Sequence, residues 1–386
     1  MSRRLRIGIF AGGRSAEHEV SVASAEAVLN AIDRERYEPY LVYIDRQGHW
    51  HLPAGPAPEL ASGSQLAGQL GVDTPAAHTA HLADDQAALP ATVGEDALPP
   101  RFALRSLAEV IDVAFLVLHG PFGEDGTLQG FLELAGIPYT GAGVLASALA
   151  MDKIVFKDLM RGHDLPVVDY TWFRRSDWSA APQEVVADVA SRIGPRSVVK
   201  PARLGSSLGM TMVHAADELP GAIEEALRYD AKVIVEAYVP NARELECGVL
   251  GNDQPQVFEP GEVRSHGEWY DYAAKYTEGL ADVFPRADVP PLVAQRIREL
   301  ALAAYKAVDC AGFARIDFLV PPDAIYISEM NTIPGFTATS MFPKQAGLAG
   351  IGFGQLVDRL VRLALEREGP SQAAAADDPA PAEKLE

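Results

Sequence analysis

The stretch Gly312 to Met341, GFARIDFLVPPDAIYISEMNTIPGFTATSM, decides the reading of this 386-residue chain. Two runs rich in β-formers, Gly312 to Val320 and Tyr326 to Met330, flank a Pro-Pro-Asp turn, a pattern that predicts an antiparallel hairpin. Side chains alternate between the two faces of a strand, so Arg315, Asp317 and Leu319 share one face, and Ile316, Phe318 and Val320 the other. Ile327, Glu329 and Asn331 likewise share a face. A turn over 321–325 sets Asp317 opposite Glu329, Arg315 opposite Asn331 and Leu319 opposite Ile327. A slip by one residue would instead put Ser328 and Met330 across from Asp317 and Arg315, scattering the polar set over both faces.

Two carboxylates and an amide oxygen on one face suit Mg²⁺, a hard cation that takes oxygen ligands and leaves its other positions to water or phosphate. Arg315 beside them would face an anion. The competing reading is a surface hairpin whose charges only pair across the strands. The rest of the chain decides between the two.

Composition bounds the answer. At 48% hydrophobic and 22% charged the chain is an ordinary globular protein, long enough for two or three domains of about 100 to 200 residues. A net charge of -20 leaves no electrostatic footprint for nucleic acid or an anionic membrane. Phosphate ligands would need a small local basic cluster. Cys247 and Cys310 are too few for a disulfide framework or a thiolate metal site, which fits a reducing compartment. The apolar run Ile7 to Ala11 is shorter than the core of a signal peptide, and a cytoplasmic location is expected.

Upstream of the hairpin the chain alternates strands with ligand-type loops. Leu5 to Phe10 reads as a buried strand, followed by AGGRSAEHEVS and a helix with Val20, Ala23, Ala27 and Ala31 at helical spacing. Such strand-turn-helix units bind ligands at the carboxyl edge of a sheet. The turn lacks the GxGxxG spacing, so a dinucleotide fingerprint is not supported. Tyr40 to Ile44 is a second strand. Residues 53–100, rich in Ala, Pro, Gly and Ser, read as a flexible insertion. Val110 to Leu118 reads as a strand that delivers HGPFGEDGTLQGFLELAG, with His119 and Glu124 at the loop. Ile137 to Thr140 is a further short strand, and the segment after it is helical through Met160.

Lys153 lies on that helix, where a lysine commonly marks only a solvated face. Ser197 to Lys200 is a strand ending in KPARLGSSLGMTMV, whose glycine- and serine-rich turn offers N–H groups and hydroxyls to a phosphate, with Lys200 as the point charge. No GKS or GKT follows the glycines, so it is not a Walker P-loop. Val233 to Glu236 and Glu244 to Leu250 are strand candidates. The run Glu259 to Pro285 reads as a loop over a site, with Lys275 and Tyr276 free of an evident core role. Pro291 to Val308 is an amphipathic helix, and the tail after Glu368 is expected to be disordered.

Taken in order, GGRSAEHEVS, HGPFGEDGTLQG, GAGVLASALAMDK, VVKPARLGSSLGM, VEAYVPNARELE, YDYAAKY, GFARIDF and SEMNTIPGFTATS resemble the D-alanine:D-alanine ligases of the ATP-grasp superfamily, over most of the chain outside 53–100 and the tail. The resemblance implies a mixed α/β fold of three domains: an N-terminal open-sheet α/β domain over 1–145, a central lid over 146–245 and a C-terminal catalytic domain over 246–368, with a disordered tail over 369–386. ATP would be gripped between the last two. It further implies that Lys153 and Lys200 bind the ATP phosphates and that Gly205, Ser206 and Ser207 close over them. Glu236, the Val239 backbone and Glu244 would hold adenine and ribose. Asp317, Glu329 and Asn331 match the ligands of two Mg²⁺ ions, with Mn²⁺ as an alternative.

By the same resemblance, phosphoryl transfer from ATP to one D-alanine gives an acyl phosphate that a second D-alanine's amine attacks, supplying a peptidoglycan precursor. Arg315 would stabilise the oxyanion, assisted by the Gly335 N–H. Glu17 would anchor the first ammonium and join a hydrogen-bonded set with Ser206 and Tyr276. Lys275, Ser340 and the Met341 backbone would grip the second carboxylate, with His119 near its amine. A homodimer is a family expectation. Tyr276 speaks against a D-alanyl-D-lactate ligase, which departs from tyrosine there. Ala237 departs from the lysine of some relatives, leaving backbone contacts to adenine, and Met341 replaces a leucine. The rivals are a ligase with D-lactate or D-serine as second substrate, and an ATP-binding regulator on the same fold, which would have a broken charged constellation. A nicotinamide oxidoreductase lacks its fingerprint.

Overall fold

Three sheets follow one another along the chain, and the computed structural model describes residues 3–52, 55–57, 66, 103–266 and 281–367. The expected tail over 369–386 lies outside the described residues, as does nearly all of the insertion over 53–100. The first sheet contains β1 (Leu5–Gly12), β2 (Tyr37–Ile44), β3 (Trp50–His51) and β4 (Val113–Leu116) in the order β3-β2-β1-β4. The β1 strand runs parallel to both β2 and β4, so the chain must cross over between them, and the helix His18–Ala31 makes the first crossing. Both β1 and β4 therefore release their ligand-type loops at the same carboxyl edge.

The central sheet is antiparallel, with β5 (Tyr170–Arg174), β6 (Ser197–Pro201), β7 (Thr211–Val213) and β8 (Lys232–Ala237) in the order β5-β8-β6-β7. The third, also antiparallel, holds β9 (Arg243–Leu250), β10 (Gln256–Val257), β11 (Gly261–Ser265), β12 (Ala281–Phe284), β13 (Phe313–Val320) and β14 (Tyr326–Asn331). Its main path is β12-β11-β9-β13-β14, with β10 paired to β9.

The apolar cores divide unequally. Phe10, Phe115 and Leu116 of the first sheet share one core with Phe313, Phe336, Phe342 and the helix Phe353–Arg367. The Phe115 and Phe336 rings lie 5.6 Å apart and Phe336 and Phe353 5.3 Å apart, so this aromatic column ties the first sheet to the third. The central sheet packs on its own core of Phe173, Val199, Val213, Ile223, Val233 and Val235. Ala146, Ala150, Phe156 and Met160 pack with the third sheet.

Several local expectations need correction. Val110 ends a helix, Ala103–Val110, and the following strand covers only Val113–Leu116. Around Ile137 to Thr140 there is a single parallel bridge, Ala114 to Tyr139, rather than a strand. The helix expected through Met160 is two helices, Val144–Met151 and Lys153–Gly162. Asp152 breaks it: its carboxylate accepts the N–H groups of Ile154 and Val155 at 3.2 and 3.3 Å, an N-cap that starts a new helix. The run expected to be a loop over 259–285 carries β11 and β12, paired antiparallel, and 267–280 between them lies outside the described residues.

Candidate active site

The hairpin has the expected polar register and one deviation. Arg315 pairs with Asn331 and Asp317 with Glu329, but the register then shifts, so Leu319 faces Tyr326 rather than Ile327. Ser328 is the extra residue of this bulge, which the alternation of side chains alone cannot reveal. Ile316, Phe318 and Val320 are buried while Arg315, Asp317 and Leu319 are half-buried, as the two-face reading requires.

On the polar face, Arg315 donates from Nε to Asp317 Oδ1 and from Nη2 to Oδ2, both at 2.7 Å, and Nε lies 3.2 Å from Glu246 Oε2. Burial works against its charge, yet Asp317 and Glu246 keep the guanidinium well above its ordinary pKa. Asn331 donates from Nδ2 to Asp317 Oδ2 at 2.9 Å. Asp317, Glu329 and the Asn331 amide offer hard oxygens on one face, a donor set that fits Mg²⁺ when phosphate or water completes its shell. Among the described residues no group of three or more His, Cys, Asp or Glu gathers as a metal site.

Asp317 and Glu329 of this face, but not Arg315 or Asn331, line a cavity of about 330 Å³ between the central and third sheets. Of the residues singled out in the sequence, Lys153, Lys200, Ser207, Glu236, Val239, Glu244, Asp317 and Glu329 all border it. Lys153, the first residue of its helix, is buried rather than solvated; its Nζ donates to Leu204 O at 2.6 Å and lies 3.6 Å from Glu329. Lys200 Nζ donates to Glu236 Oε2 at 2.7 Å. Burial opposes the Lys200 charge, but Glu236 and Glu329 outweigh it and raise the pKa. Lys157 Nζ reaches the other oxygen, Glu236 Oε1, at 3.2 Å. Burial pushes the Glu236 carboxyl up, and Lys157 and Lys200 more than reverse this and hold it at about 2.

The loop after β6 closes the cavity. Ser206 and Ser207 both take left-handed φ, 57° and 58°, conformations that cost about 1 kcal/mol or more each away from glycine. Gly209, with φ 67°, approaches Tyr229 and Pro201 so closely that a Cβ there would lie 2.5 Å from the Tyr229 ring. A Cβ on Gly205 would lie 3.2 Å from Glu17 Oε2, and one on Gly120 3.4 Å from the same oxygen. Glu17 thus sits where the first sheet's loops meet the central sheet's loop.

At the far edge the first sheet grips the chain that follows β14. His119 Nδ1 bonds Ile333 O at 2.9 Å, and Glu124 accepts the Ile333 N–H at 3.0 Å and the Gly120 N–H at 2.7 Å. Burial lowers the His119 pKa, and among the described residues Nε2 has no partner. Burial first and then the nearby Glu17 push Glu124 up to about 8. Ser340 accepts the Thr337 N–H at 3.1 Å, and a Cβ on Gly335 would meet its hydroxyl at 3.1 Å. Met341 packs its sulfur against Gly261. Lys275 and Tyr276 lie outside the described residues.

Lys157, Glu246 and the role of Glu124 as a tie went unread in the sequence. For Lys157 there was a signal: it follows Lys153 by four residues, so both lie on one helical face. For Glu246 the signal was the alternation with Glu244 along β9.

Solved structures share this fold. The chain is similar to the VanG D-Ala:D-Ser ligase from Enterococcus faecalis, with 33% identity, a TM-score of 0.76, and coverage of 94% of this chain and 100% of that one. It is also similar to the D-alanine–D-alanine ligase from Bacillus anthracis complexed with ATP, with 25% identity, a TM-score of 0.69, and coverage of 94% and 98%. The chain is a ligase of mixed α/β, ATP-grasp fold. Family models described as the D-ala D-ala ligase N-terminus and C-terminus match residues 6–142 and 159–362. The D-alanine–D-alanine ligase of Natranaerobius thermophilus is 39% identical over 95% of this chain and 96% of its own length. The chain belongs to the D-alanine:D-alanine ligase family. Among the described residues no helix is long and apolar enough to cross a membrane.

Proposed function

We propose that this chain is an ATP-dependent D-alanine:D-alanine ligase that acts in the cytoplasm as a homodimer and forms a peptidoglycan precursor. The observation that carries the reading is the cavity between the central and third sheets, bordered by Lys153 and Lys200 and by the carboxylates of Asp317 and Glu329. Lys153, Lys200 and the Gly205 to Ser207 turn hold the ATP phosphates, and Glu236, Val239 and Glu244 take adenine and ribose. Asp317, Glu329 and Asn331 would hold two Mg²⁺ ions. Bound there, such ions neutralise charge on the transferring phosphoryl group and on ADP. The division near residues 145 and 245 makes the central sheet the lid, supported by its separate core, although Ala146, Ala150, Phe156 and Met160 on the lid side of that division pack with the third sheet.

Glu17 anchors the ammonium of the first D-alanine. A carboxylate oxygen of that substrate attacks the γ-phosphorus, the bond to ADP breaks, and an acyl phosphate forms. The amine of the second D-alanine then adds to the acyl carbon. Arg315 and the Gly335 N–H stabilise the oxyanion, and the C–O bond to phosphate breaks to leave the peptide. Lys275, Ser340 and Met341 hold the second carboxylate. His119, kept neutral by burial, faces the incoming amine with Nε2. Ser206 and Tyr276 latch the lid to Glu17.

The likeness to a D-Ala:D-Ser ligase favours one second reading, in which D-serine is the second substrate. The test is phosphate release with D-alanine against L-alanine, followed by product analysis with D-serine and D-lactate in competition. D-alanyl-D-alanine as the main product is expected. A dominant D-serine product or depsipeptide at neutral pH would replace the lead reading.

A further inference from the structure

Lys157 belongs to neither the cavity wall nor an ordinary core. Its side chain has no exposed surface, yet it carries an ammonium group whose pKa burial lowers. Its Nζ donates to Ser328 O, at the bulge of β14, at 2.9 Å and forms an ion pair, without hydrogen-bond geometry, with Glu236 Oε1 at 3.2 Å. Glu236 is nearly as buried, and its other oxygen takes Lys200 at 2.7 Å. One carboxylate is therefore shared by two lysines, of which Lys200 borders the cavity and Lys157 approaches from behind it.

This arrangement matters when a phosphate arrives. For Lys200, which already borders the cavity, to bind phosphate, its charge and free N–H donors must be shared between Glu236 and the phosphate. A buried carboxylate stripped of its only cation is strongly unfavourable, so a site with Lys200 alone would hold that lysine back. The second cation removes the conflict. We propose that Lys157 is a positioning residue, the standing counter-ion of Glu236 that frees Lys200 to bind nucleotide phosphates. Since Glu236 also contacts the nucleoside on the proposed reading, the effect of Lys157 reaches both parts of the ligand and is larger on the phosphate part. The inference rests on the reading of Lys200 as a phosphate ligand.

The test compares Lys157→Met with wild type by calorimetry, using β,γ-methylene-ATP with Mg²⁺ and, separately, adenosine. Expected is a loss of at least about 10-fold in affinity for the triphosphate analogue, the scale for removing one member of a buried charge set. Adenosine affinity should fall by a smaller factor than that of the analogue, and its retained binding also reports that the variant is folded. In a Glu236→Gln background, Lys157→Met should change analogue affinity by less than about 3-fold, because no carboxylate remains to be balanced. Lys157→Arg should keep near-wild-type binding. Equal weakening of both ligands, or an unaltered analogue affinity, overturns the inference while the wild type still binds. Failure of the wild type to bind the analogue overturns the nucleotide reading, and the inference with it.

Discussion

At Arg315 the side chain sits between two carboxylates, bonded to Asp317 and 3.2 Å from Glu246, on the face whose Asp317 and Glu329 border the cavity. On the proposed reading it meets the oxyanion of the tetrahedral intermediate. Arg315→Ala should then lower turnover by at least about 10²-fold, the scale for one oxyanion donor. Nucleotide affinity measured by calorimetry should stay near wild type. Glu236 gives a pH prediction of defined sign. Its carboxyl is held at about 2 in the folded chain against an ordinary 4.5. The stabilisation is thus present above pH 4.5 and is lost as pH falls toward 2. It should amount to a few kcal/mol, read as an acid limb in Tm against pH that Glu236→Gln flattens. At this scale the sequence was legible where period 2 governs: the odd-numbered face of β13 could be read directly. Lys157 was not, because a lysine four residues after another gives no sign of which carboxylate lies behind the wall.

Among the elements, the loop after β6 and the bulge of β14 do most to shape the cavity. Gly209 combines a left-handed φ of 67° with a close approach to Tyr229 and Pro201. Gly209→Ala should therefore destabilise the central sheet by roughly 1–3 kcal/mol, through backbone strain and crowding together. Denaturant unfolding followed in the central sheet checks this, and an unchanged midpoint would remove the packing argument. The positions of β1, β2, β4, β6, β8, β9, β13 and β14 followed from hydrophobic pattern, but several of their ends did not, and β11 and β12 lie in a run that reads as a loop. Val110 ends a helix and Asp152 starts one through its N-cap hydrogen bonds, and a run of apolar residues on either side hides both boundaries. The bulge at Ser328 escaped for a related reason: residues around it keep strand-like character while the pairing shifts by one.

For the molecule as a whole, the first and third sheets form one packed body and the central sheet carries its own core. A nucleotide gripped between the central and third sheets should therefore stabilise the chain by mass action. At about 100-fold excess over Kd the gain is about 2.7 kcal/mol, visible as a rise in Tm. Hydrogen exchange in the Gly205 to Met210 loop should slow in the same experiment, and unchanged exchange there would contradict the lid. The strand-loop units could each be read locally. That Glu17 and His119, on two loops of the first sheet, converge with the Gly205 turn of the central sheet could not, since nothing in a local pattern fixes the order of strands in space. It was the order of the motifs along the chain, and so the family resemblance, that implied the convergence.

The central claim is that a D-alanine carboxylate is phosphorylated and then captured by a second D-alanine. With D-alanine labelled by ¹⁸O in its carboxylate, ATP and Mg²⁺, the inorganic phosphate formed should carry the label in step with D-alanyl-D-alanine, because the cleaved C–O bond leaves a substrate oxygen on phosphorus. Dipeptide formed with unlabelled phosphate, or no phosphate release that depends on D-alanine, would contradict the account.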